Sequence, residues 1–501
     1  MNHTTIDFET RSCIKLKKRG VAIYAMDEST HALCLAYRTP EGLQQWVWDG
    51  SDKPVMPDDL RALIEAGMEF HAFNAPFEKY IWQYVLVEKY GWLPMPDSAW
   101  RCTLAMAANA NQPQGLDKLG ERLKLPQRKL KEGKSLIPLL TEPLKVKKKA
   151  QTAQPIFHEW SLDDPQCQQF LEYNKQDVVV EENADKVLPI WNPTEIKVWQ
   201  MDRRINERGF YIDWELCKQA ARIHAVAIQK ANAIISDMTE GAVTACTQVA
   251  RIKKWINIVR GVNFGDTLNE TFVTRWLEQN PAADSGVLKI LRLRLASNSN
   301  TATKYASALT RVCRDSRVRE SVRYYGAATG RWTGSGFHPH NFKREAAPDE
   351  FWFDLIKYGD YDVLEGMCDP PDVEGVVDLL KQCVRGIITA PIGQSLITSD
   401  FAGIEARVLH WLCGNERMLQ LFRDDQDIYI SAACDIYGVQ PEDIAIWNGH
   451  KWKIKRNTAK RDRLANRHSL AWVTAWVDQN SLPIFTTKRI CSSRRNSPTK
   501  P

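Results

Sequence analysis

Two carboxylates, Asp7 and Glu9, stand two residues apart at the end of the strand-like segment 4–8. Side chains alternate across a β-strand, so residues spaced by two point to the same face of the sheet. Like charges held side by side are costly unless a cation neutralises them. The pattern therefore predicts one of two structures: an exposed edge strand, or a sheet face that holds divalent metal ions.

The size and composition of the chain fit a soluble protein of several domains. Its 501 residues are too many for one ordinary core, and we expect two or three domains. Hydrophobic residues make up 44% and charged residues 26%, which is typical of globular proteins rather than disordered ones. The net charge of +6 permits nucleic-acid binding without arguing for it.

Cysteine spacing and hydropathy exclude several other classes. None of the twelve cysteines forms a C-x-x-C pair, so we expect no zinc site and reduced thiols in a cytoplasm. Residues 1–10 lack the basic and apolar regions of a signal peptide. No run of about 18 apolar residues occurs, so we expect no membrane span.

The first part of the chain combines strand and helix patterns, which predicts an α/β fold. β-rich runs occur at 4–8, 21–26, 31–39, 44–48 and 69–74, and helical patterns at 57–66, after Pro76, and at 166–188. Pro189 and Pro193 mark a boundary near residue 190. Between these elements, the Lys- and Pro-rich stretch 123–149 ends in Lys147, Lys148 and Lys149; it predicts either a solvated loop or a contact with a nucleic-acid backbone.

Two further acidic positions could belong with Asp7 and Glu9. Glu78 follows Asn74 by four residues, at the start of a predicted helix, where the helix dipole alone would favour it. Tyr173 and Asp177 lie four apart on a helix and therefore on one face. Each pattern alone is more typical of ordinary structure than of a site.

The order D-x-E, N-x-x-x-E and Y-x-x-x-D over residues 1 to about 190 resembles the three motifs of DEDD-type 3′→5′ exonucleases, in the proofreading class that has Tyr in the last motif. The resemblance implies a ribonuclease-H-like fold and two divalent metals, Mg²⁺ with Mn²⁺ as an alternative. By this resemblance Asp7, Glu9 and Asp177 would hold the metals. Tyr173 would orient the attacking water. Glu78 would support the second metal, although the family more often has Asp there.

A later part of the chain carries a second group of motifs. Gly330 and Arg331 belong to a Gly-rich turn that leads to His340 and Asn341, and such a turn suits close approach to a phosphate backbone. The apolar, strand-like segment 396–400 ends at Asp400, where a carboxylate could hold a metal or simply cap the following helix. The helix pattern after it places an apolar stripe at Ile404, Val408, Trp411 and Leu412.

These segments resemble the beginning of the palm of family A DNA polymerases, the bacterial polymerase I type. By the resemblance, Arg331, His340 and Asn341 would face the primer–template, and Asp400 would bind the catalytic magnesium. Glu405 would crowd the sugar 2′ position of the nucleotide. Phe401 and Ala402 replace the usual Tyr and Ser, as in phage-type members.

The resemblance divides the chain into four parts and reaches about residue 456. We expect an exonuclease domain (1–190), a helical thumb-like region (191–318), and a partial α+β palm with the start of the fingers (319–456), followed by an aberrant tail (457–501). The implied partners are DNA primer–template, a single-stranded 3′ end and dNTPs; we expect a monomer in the cytoplasm of a bacterium or a phage-infected host.

The tail lacks the later fingers and palm motifs, and the genetic code offers a reason. Because Trp is always TGG and Val begins with GT, moving the frame back by one base turns the Trp472–Val473 and Trp476–Val477 junctions into glycine codons. The amino-acid sequence read in the shifted frame can then match the fingers segment of phage-type members. We hypothesise a change of reading frame between Lys455 and Leu470. Nucleotide addition by this polypeptide would then be absent or weak, and the exonuclease would be the surviving activity.

Two other functions remain open at this point. A stand-alone exonuclease, such as one acting on RNA, would have no use for the motifs around Arg331 and Asp400. A non-catalytic DNA-binding remnant would release no nucleotides from a 3′ end.

Overall fold

The protein is seen here as a computed structural model, which describes residues 3–144, 155–262, 264, 267–343 and 349–428, with short pieces at 430–431, 434, 438, 440–447 and 452–454. It has a mixed α and β architecture and divides into two compact units, Met1–Leu396 and Ile397–Pro501. The expected frame change, the tail from residue 457 and the run Lys147 to Lys149 lie outside the described residues.

A five-stranded mixed sheet organises the first part of the chain, with strand order β3-β2-β1-β4-β5. Its strands are β1 (His3–Arg11), β2 (His31–Thr39), β3 (Gly42–Val47), β4 (Glu69–Ala72) and β5 (Trp100–Cys102). β1, β2 and β3 are antiparallel neighbours, whereas β1, β4 and β5 run parallel. The strand that carries Asp7 and Glu9 is therefore the central strand of the sheet and not an edge.

Helices pack around this sheet and bury one continuous core. They are α1 (Leu16–Arg19), α2 (Val21–Met26), α3 (Asp58–Glu65), α4 (Ala75–Ile81), α5 (Thr103–Asn109), α6 (Leu116–Arg122), α7 (Gly133–Thr141) and α8 (Pro165–Val187). α4 continues as a π-helical segment, Trp82–Val87, and a short 3₁₀ turn occupies Asp97–Ala99. α8 begins where the Asp164 side chain accepts a hydrogen bond from the Gln166 amide and Pro165 takes the first helical position.

The strand predicted at 21–26 is wrong, because these residues form α2. A six-residue apolar run cannot be assigned to strand or helix by its periodicity alone. Here the two alanines favour a helix, and Tyr24 packs into the core beside the sheet instead of extending it.

A second hydrophobic core follows, built mostly from helices between residues 212 and 387. The helices from residue 193 onward are α9 (Pro193–Arg208), α10 (Trp214–Met238), α11 (Val249–Arg260), α12 (Glu270–Gln279), α13 (Ser285–Ser297), α14 (Thr303–Arg311), α15 (Glu350–Tyr358), α16 (Tyr361–Met367) and α17 (Val373–Cys383). α9 still packs on the first core through Trp199, so the change of core comes after this helix. Two-residue strands pair as β6 (Phe210–Tyr211) with β7 (Arg317–Val318), and β8 (Val322–Arg323) with β9 (Thr333–Gly334). Short 3₁₀ turns lie at Pro339–Asn341 and Val384–Ile387.

The second unit contains α18 (Ile404–Leu412), α19 (Glu416–Arg423), α20 (Pro441–Ile444) and a hairpin of β10 (Ala445–Trp447) and β11 (Trp452–Ile454). The strand predicted at 396–400 is wrong: these residues are exposed and irregular. A strand exists only where a neighbour satisfies its backbone groups, and no described strand pairs with this segment. The predicted helix is present, but its apolar stripe is exposed at Ile404, Val408, Trp411 and Leu412.

Candidate active site

Three of the predicted carboxylates meet at the centre of the first sheet. Ligand oxygens of Asp7, Glu9 and Asp177 all lie within 4.8 Å of one another. β1 supplies the first two, and α8, which packs against β1 and β2, supplies the third. On β2 the residues opposite Asp7 and Glu9 are Ala36 and Cys34, whose small side chains leave room for the carboxylates.

Asn174 on α8 fixes the position of Asp7 by two hydrogen bonds, and Gln45 on β3 in turn holds Asn174. The Asn174 amide nitrogen donates to Asp7 Oδ2 at 2.8 Å and to the Asp7 carbonyl at 3.0 Å. Gln45 donates in turn to Asn174 Oδ1 at 3.1 Å. Asn174 and Gln45 were not predicted from the sequence; the position of Asn174, three residues before Asp177 on the same helix, was the available signal.

Two more acidic side chains are buried beside this cluster. Glu78, in the first turn of α4, is 4% exposed, and its Oε2 has no hydrogen-bond partner. Glu181, one turn after Asp177 on α8, is 1% exposed and accepts a hydrogen bond from the Thr103 hydroxyl at 2.7 Å. The sequence analysis did not identify Glu181.

The clustering disfavours negative charge at these carboxyls. Burial, together with the charge on Asp177, raises the pKa of Asp7 to about 7. Burial and the nearby Asp7 raise the pKa of Glu9 and of Glu78 well above the usual range. A buried group of carboxyls with raised pKa values is a set that a cation would stabilise in its charged form.

Tyr173 lies against the cluster in a tightly packed position. It is 4% exposed and stacks on Phe170, with the ring centroids 6.1 Å apart. A Cβ atom at Gly133 would lie 2.2 Å from Tyr173 Cε2, so only glycine fits there. Burial and the neighbouring Asp177 raise the pKa of Tyr173, which keeps its hydroxyl protonated at neutral pH.

Lys129 is the one cation that contacts the cluster among the described residues. Its ammonium lies 2.5 Å from Asp177 Oδ2 and 5.0 Å from the centroid of the Tyr173 ring. It comes from the loop between α6 and α7, part of the Lys-rich stretch that the sequence predicted to be a solvated loop or a nucleic-acid contact. Nothing in the spacing of the chain indicated that Lys129 would meet Asp177.

The donor set fits a hard divalent cation. All its ligand atoms are carboxylate oxygens, which Mg²⁺, Mn²⁺ and Ca²⁺ prefer. Glu78 Oε2 and Asp177 Oδ1 are buried and have no hydrogen-bond partner. Buried polar atoms normally have a partner, so a bound cation would satisfy these two oxygens.

His3, His71 and Asp185 form a second group of potential ligands, at the far end of β1 and α8. The two imidazoles stack with centroids 4.0 Å apart and planes 20° apart, so their in-plane lone pairs do not converge on one ion. Each imidazole instead faces the Asp185 carboxylate, at 3.2 Å from His3 and 3.3 Å from His71. We therefore interpret this group as an ionic cluster that fastens β1 and β4 to α8.

The remaining predicted residues are on the surface. Asn74 is exposed at the N-terminus of α4, and Arg331, His340 and Asn341 are exposed within the first unit. Gly330, with φ +80°, turns the chain just before Arg331; a side chain at this glycine would meet the Tyr325 ring at 2.9 Å. In the second unit Asp400 and Glu405 are exposed, and Asp400 joins no cluster of three ligand-type side chains among the described residues.

Sequence comparisons relate the chain to polymerases. No family model matches it. It is 30% identical over 452 residues to the DNA polymerase of Bacillus phage SP02, which covers 89% of this chain and 66% of that protein. A stretch of 63 residues, 13% of this chain, is 36% identical to the thermostable DNA polymerase I of Thermus thermophilus, covering 8% of that protein. The chain is therefore related to a phage DNA polymerase and, over a short stretch, to bacterial DNA polymerase I. It spans about two thirds of the length of its phage relative.

One solved structure has a similar fold. The POL domain of Pol1 from M. smegmatis, in complex with DNA primer-template and dNTP, has a TM-score of 0.53 to this chain. The match covers 95% of this chain and 67% of that one at 13% identity, so it supports the fold alone. Among the described helices, none is both long and apolar enough to span a bilayer.

Proposed function

We propose that the first 190 residues form a 3′→5′ exonuclease domain, which removes nucleotides from a single-stranded DNA end. The observation that carries the proposal is the convergence of Asp7, Glu9 and Asp177 within 4.8 Å on the central strand and its packed helix. The sheet order, with three antiparallel strands followed by two parallel ones, is the one expected of a ribonuclease-H-like fold.

In this proposal Asp7, Glu9 and Asp177 hold two divalent ions, Mg²⁺ or Mn²⁺, and Glu78 supports the second. When bound, the ions would supply charge neutralisation at the phosphate and a reactive water at neutral pH. The protonated hydroxyl of Tyr173 orients that water by a hydrogen bond.

The rest of the chain belongs to the polymerase function in this proposal. Residues 191–318 form the thumb, and residues 319–456 the palm and the beginning of the fingers. Arg331, His340 and Asn341 bind primer–template. Asp400 is a metal ligand for nucleotide addition from dNTPs, and Glu405 lies beside the sugar of the incoming nucleotide. The 30% identity to a phage DNA polymerase, in an alignment that covers 89% of the chain, supports this part. We propose the exonuclease as the main activity of this chain, because its carboxylates lie close together among the described residues.

The test is the direction and metal dependence of degradation. A single-stranded DNA oligonucleotide labelled at its 5′ end should shorten as a ladder in Mg²⁺, and EDTA should stop the reaction. The same oligonucleotide made of RNA should be degraded more slowly. No shortening by the folded chain would refute the exonuclease and favour a non-catalytic DNA-binding role; faster degradation of RNA would favour a ribonuclease.

A further inference from the structure

One metal-ligand oxygen of the carboxylate cluster already has a cationic partner from the protein itself. Lys129 Nζ lies 2.5 Å from Asp177 Oδ2, and the two side chains are 26% and 6% exposed. The other oxygen of the same carboxyl, Oδ1, is buried without a hydrogen-bond partner. Asp177 is therefore half paired: one oxygen binds the ammonium and the other has no ligand.

An ammonium on Oδ2 and a divalent ion on Oδ1 of the same carboxyl would repel each other, because both are cations at short range in a poorly solvated place. We propose that Lys129 is a tethered counter-ion that pairs with Asp177 in the metal-free protein and leaves this carboxylate when a divalent ion binds. The inference deepens the proposed exonuclease function and rests on it.

The charge balance of the cluster supports this role. Asp7, Glu9 and Asp177 have ligand oxygens within 4.8 Å of one another, so they repel one another when they are ionised. The Lys129 ammonium, 2.5 Å from Asp177 Oδ2, supplies the positive charge that opposes this repulsion. It therefore holds the cluster together without a metal.

The surroundings of Lys129 allow it to move. It lies in the irregular loop 123–132, and no second carboxylate holds it among the described residues. Its ammonium lies 5.0 Å from the centroid of the Tyr173 ring, so a cation–π partner is close by when Asp177 is released. A displaced Lys129 would thus stay beside the side chain that we propose orients the water, where the phosphate of a bound DNA end is the anion it could take next.

The experiment is a titration of the full, DNA-free chain with Mn²⁺. Calorimetry measures the binding, and the loss of the electron paramagnetic resonance signal of free Mn²⁺ measures it independently. Lys129→Met removes the competing cation and should bind Mn²⁺ at least about fivefold more tightly than the wild type. Lys129→Arg keeps the charge and should remain within about twofold of the wild type. Lys131→Met, an exposed lysine two residues away, is the matched control and should also leave the affinity unchanged.

The outcomes separate this inference from the function on which it rests. If the wild type binds Mn²⁺, Asp177→Asn weakens binding, and Lys129→Met changes nothing or weakens it, the counter-ion role is overturned and the metal site stands. If neither the wild type nor Lys129→Met binds Mn²⁺ at millimolar concentration, both the inference and the proposed metal site are overturned. Lys129→Gln replaces Lys129→Met if circular dichroism shows that the methionine variant is unfolded.

Discussion

Asp7 and Asp400 each lie in a segment whose sequence predicts a strand, yet they stand in opposite surroundings. Asp7 lies on the central strand of a five-stranded sheet, fixed by Asn174 and within ligand distance of Glu9 and Asp177. Asp400 is exposed at the end of an irregular segment. The first carboxylate belongs to an assembled cluster, and the second to none among the described residues.

A carboxylate motif therefore forms a metal-binding cluster only where the elements packed around it bring other carboxylates close. Around Asp7, β1, β2 and α8 bury their apolar faces against one another and so hold the acidic side chains close together. Around Asp400, the apolar side chains of α18 are exposed, with Trp411 at 68%.

The largest contrast should be in stability. Phe170→Ala removes a fully buried ring beneath Tyr173 and should lower the free energy of unfolding by about 3–5 kcal/mol. Trp411→Ser in the exposed face of α18 should change it by no more than about 0.5 kcal/mol. Urea denaturation of both variants measures the two values. A large loss of stability in Trp411→Ser would show that this face of α18 is covered, and the contrast between the surroundings of Asp7 and Asp400 would disappear.

The next largest effect concerns activity. Glu9→Gln should reduce nucleotide release by roughly 100-fold or more, which corresponds to about 2.7 kcal/mol of transition-state stabilisation. Because glutamine removes one of several repelling charges, the melting temperature in EDTA should stay the same or rise. Glu172→Gln, an exposed carboxylate on the same helix as Asp177, is the control and should keep full activity. More than a tenth of the activity in Glu9→Gln would argue against its role as a ligand.

A smaller effect is expected at Gly133, which tests how tightly Tyr173 is held. Gly133→Ala places a methyl group 2.2 Å from Tyr173 Cε2, so the ring must shift. Overpacking of this kind should destabilise the protein by about 1–3 kcal/mol, with a loss of nucleotide release greater than the loss of folded protein. Gly120→Ala on α6 meets only ordinary contacts, at 3.7 Å or more, and should be tolerated. Equal behaviour of the two variants would mean that Gly133 does not constrain Tyr173.

The smallest effect should come from the His3–Asp185 pair. The hydrogen bond with Asp185 raises the pKa of His3, so its stabilisation is full below about pH 6.5 and is lost as the pH rises through the raised value. Burial alone would raise the pKa of Asp185, but the two histidines outweigh it and lower this pKa; that contribution is present above about pH 3.9 and is lost in stronger acid.

We therefore expect His3→Gln to be slightly less stable than the wild type at pH 6, by well under about 1 kcal/mol because His3 is partly exposed, and equal to it at pH 9. Thermal melts at the two pH values measure this difference. His340→Gln, at an exposed histidine outside this cluster, is the control variant in the same melts. A larger deficit at pH 9 than at pH 6 would contradict the pairing.

The sequence predicted the parts of the site that depend on local periodicity. A spacing of two on a strand places Asp7 and Glu9 together, and a spacing of four on a helix places Tyr173 and Asp177 together; both pairs are as expected. The strand at 31–39 and the helices near 58 and 166 were also predicted within a residue or two. Whether these side chains act as proposed stays a prediction.

The rest depends on contacts between distant parts of the chain. Nothing local connects Lys129 with Asp177 or Gly133 with the ring of Tyr173, because loop packing decides both. The wrong strand at 21–26 came from an apolar run too short to show a period. The wrong strand at 396–400 came from a pattern that predicts a strand only if a neighbour pairs with it.

The most direct test of the account is nucleotide release from a single-stranded 3′ end by Asp7→Asn and Asp400→Asn, measured side by side in Mg²⁺. The account predicts a loss of roughly 100-fold or more in Asp7→Asn, and wild-type release in Asp400→Asn. Wild-type release by Asp7→Asn, or an equal loss in both variants, would contradict the claim that the carboxylates of the first sheet form the exonuclease site.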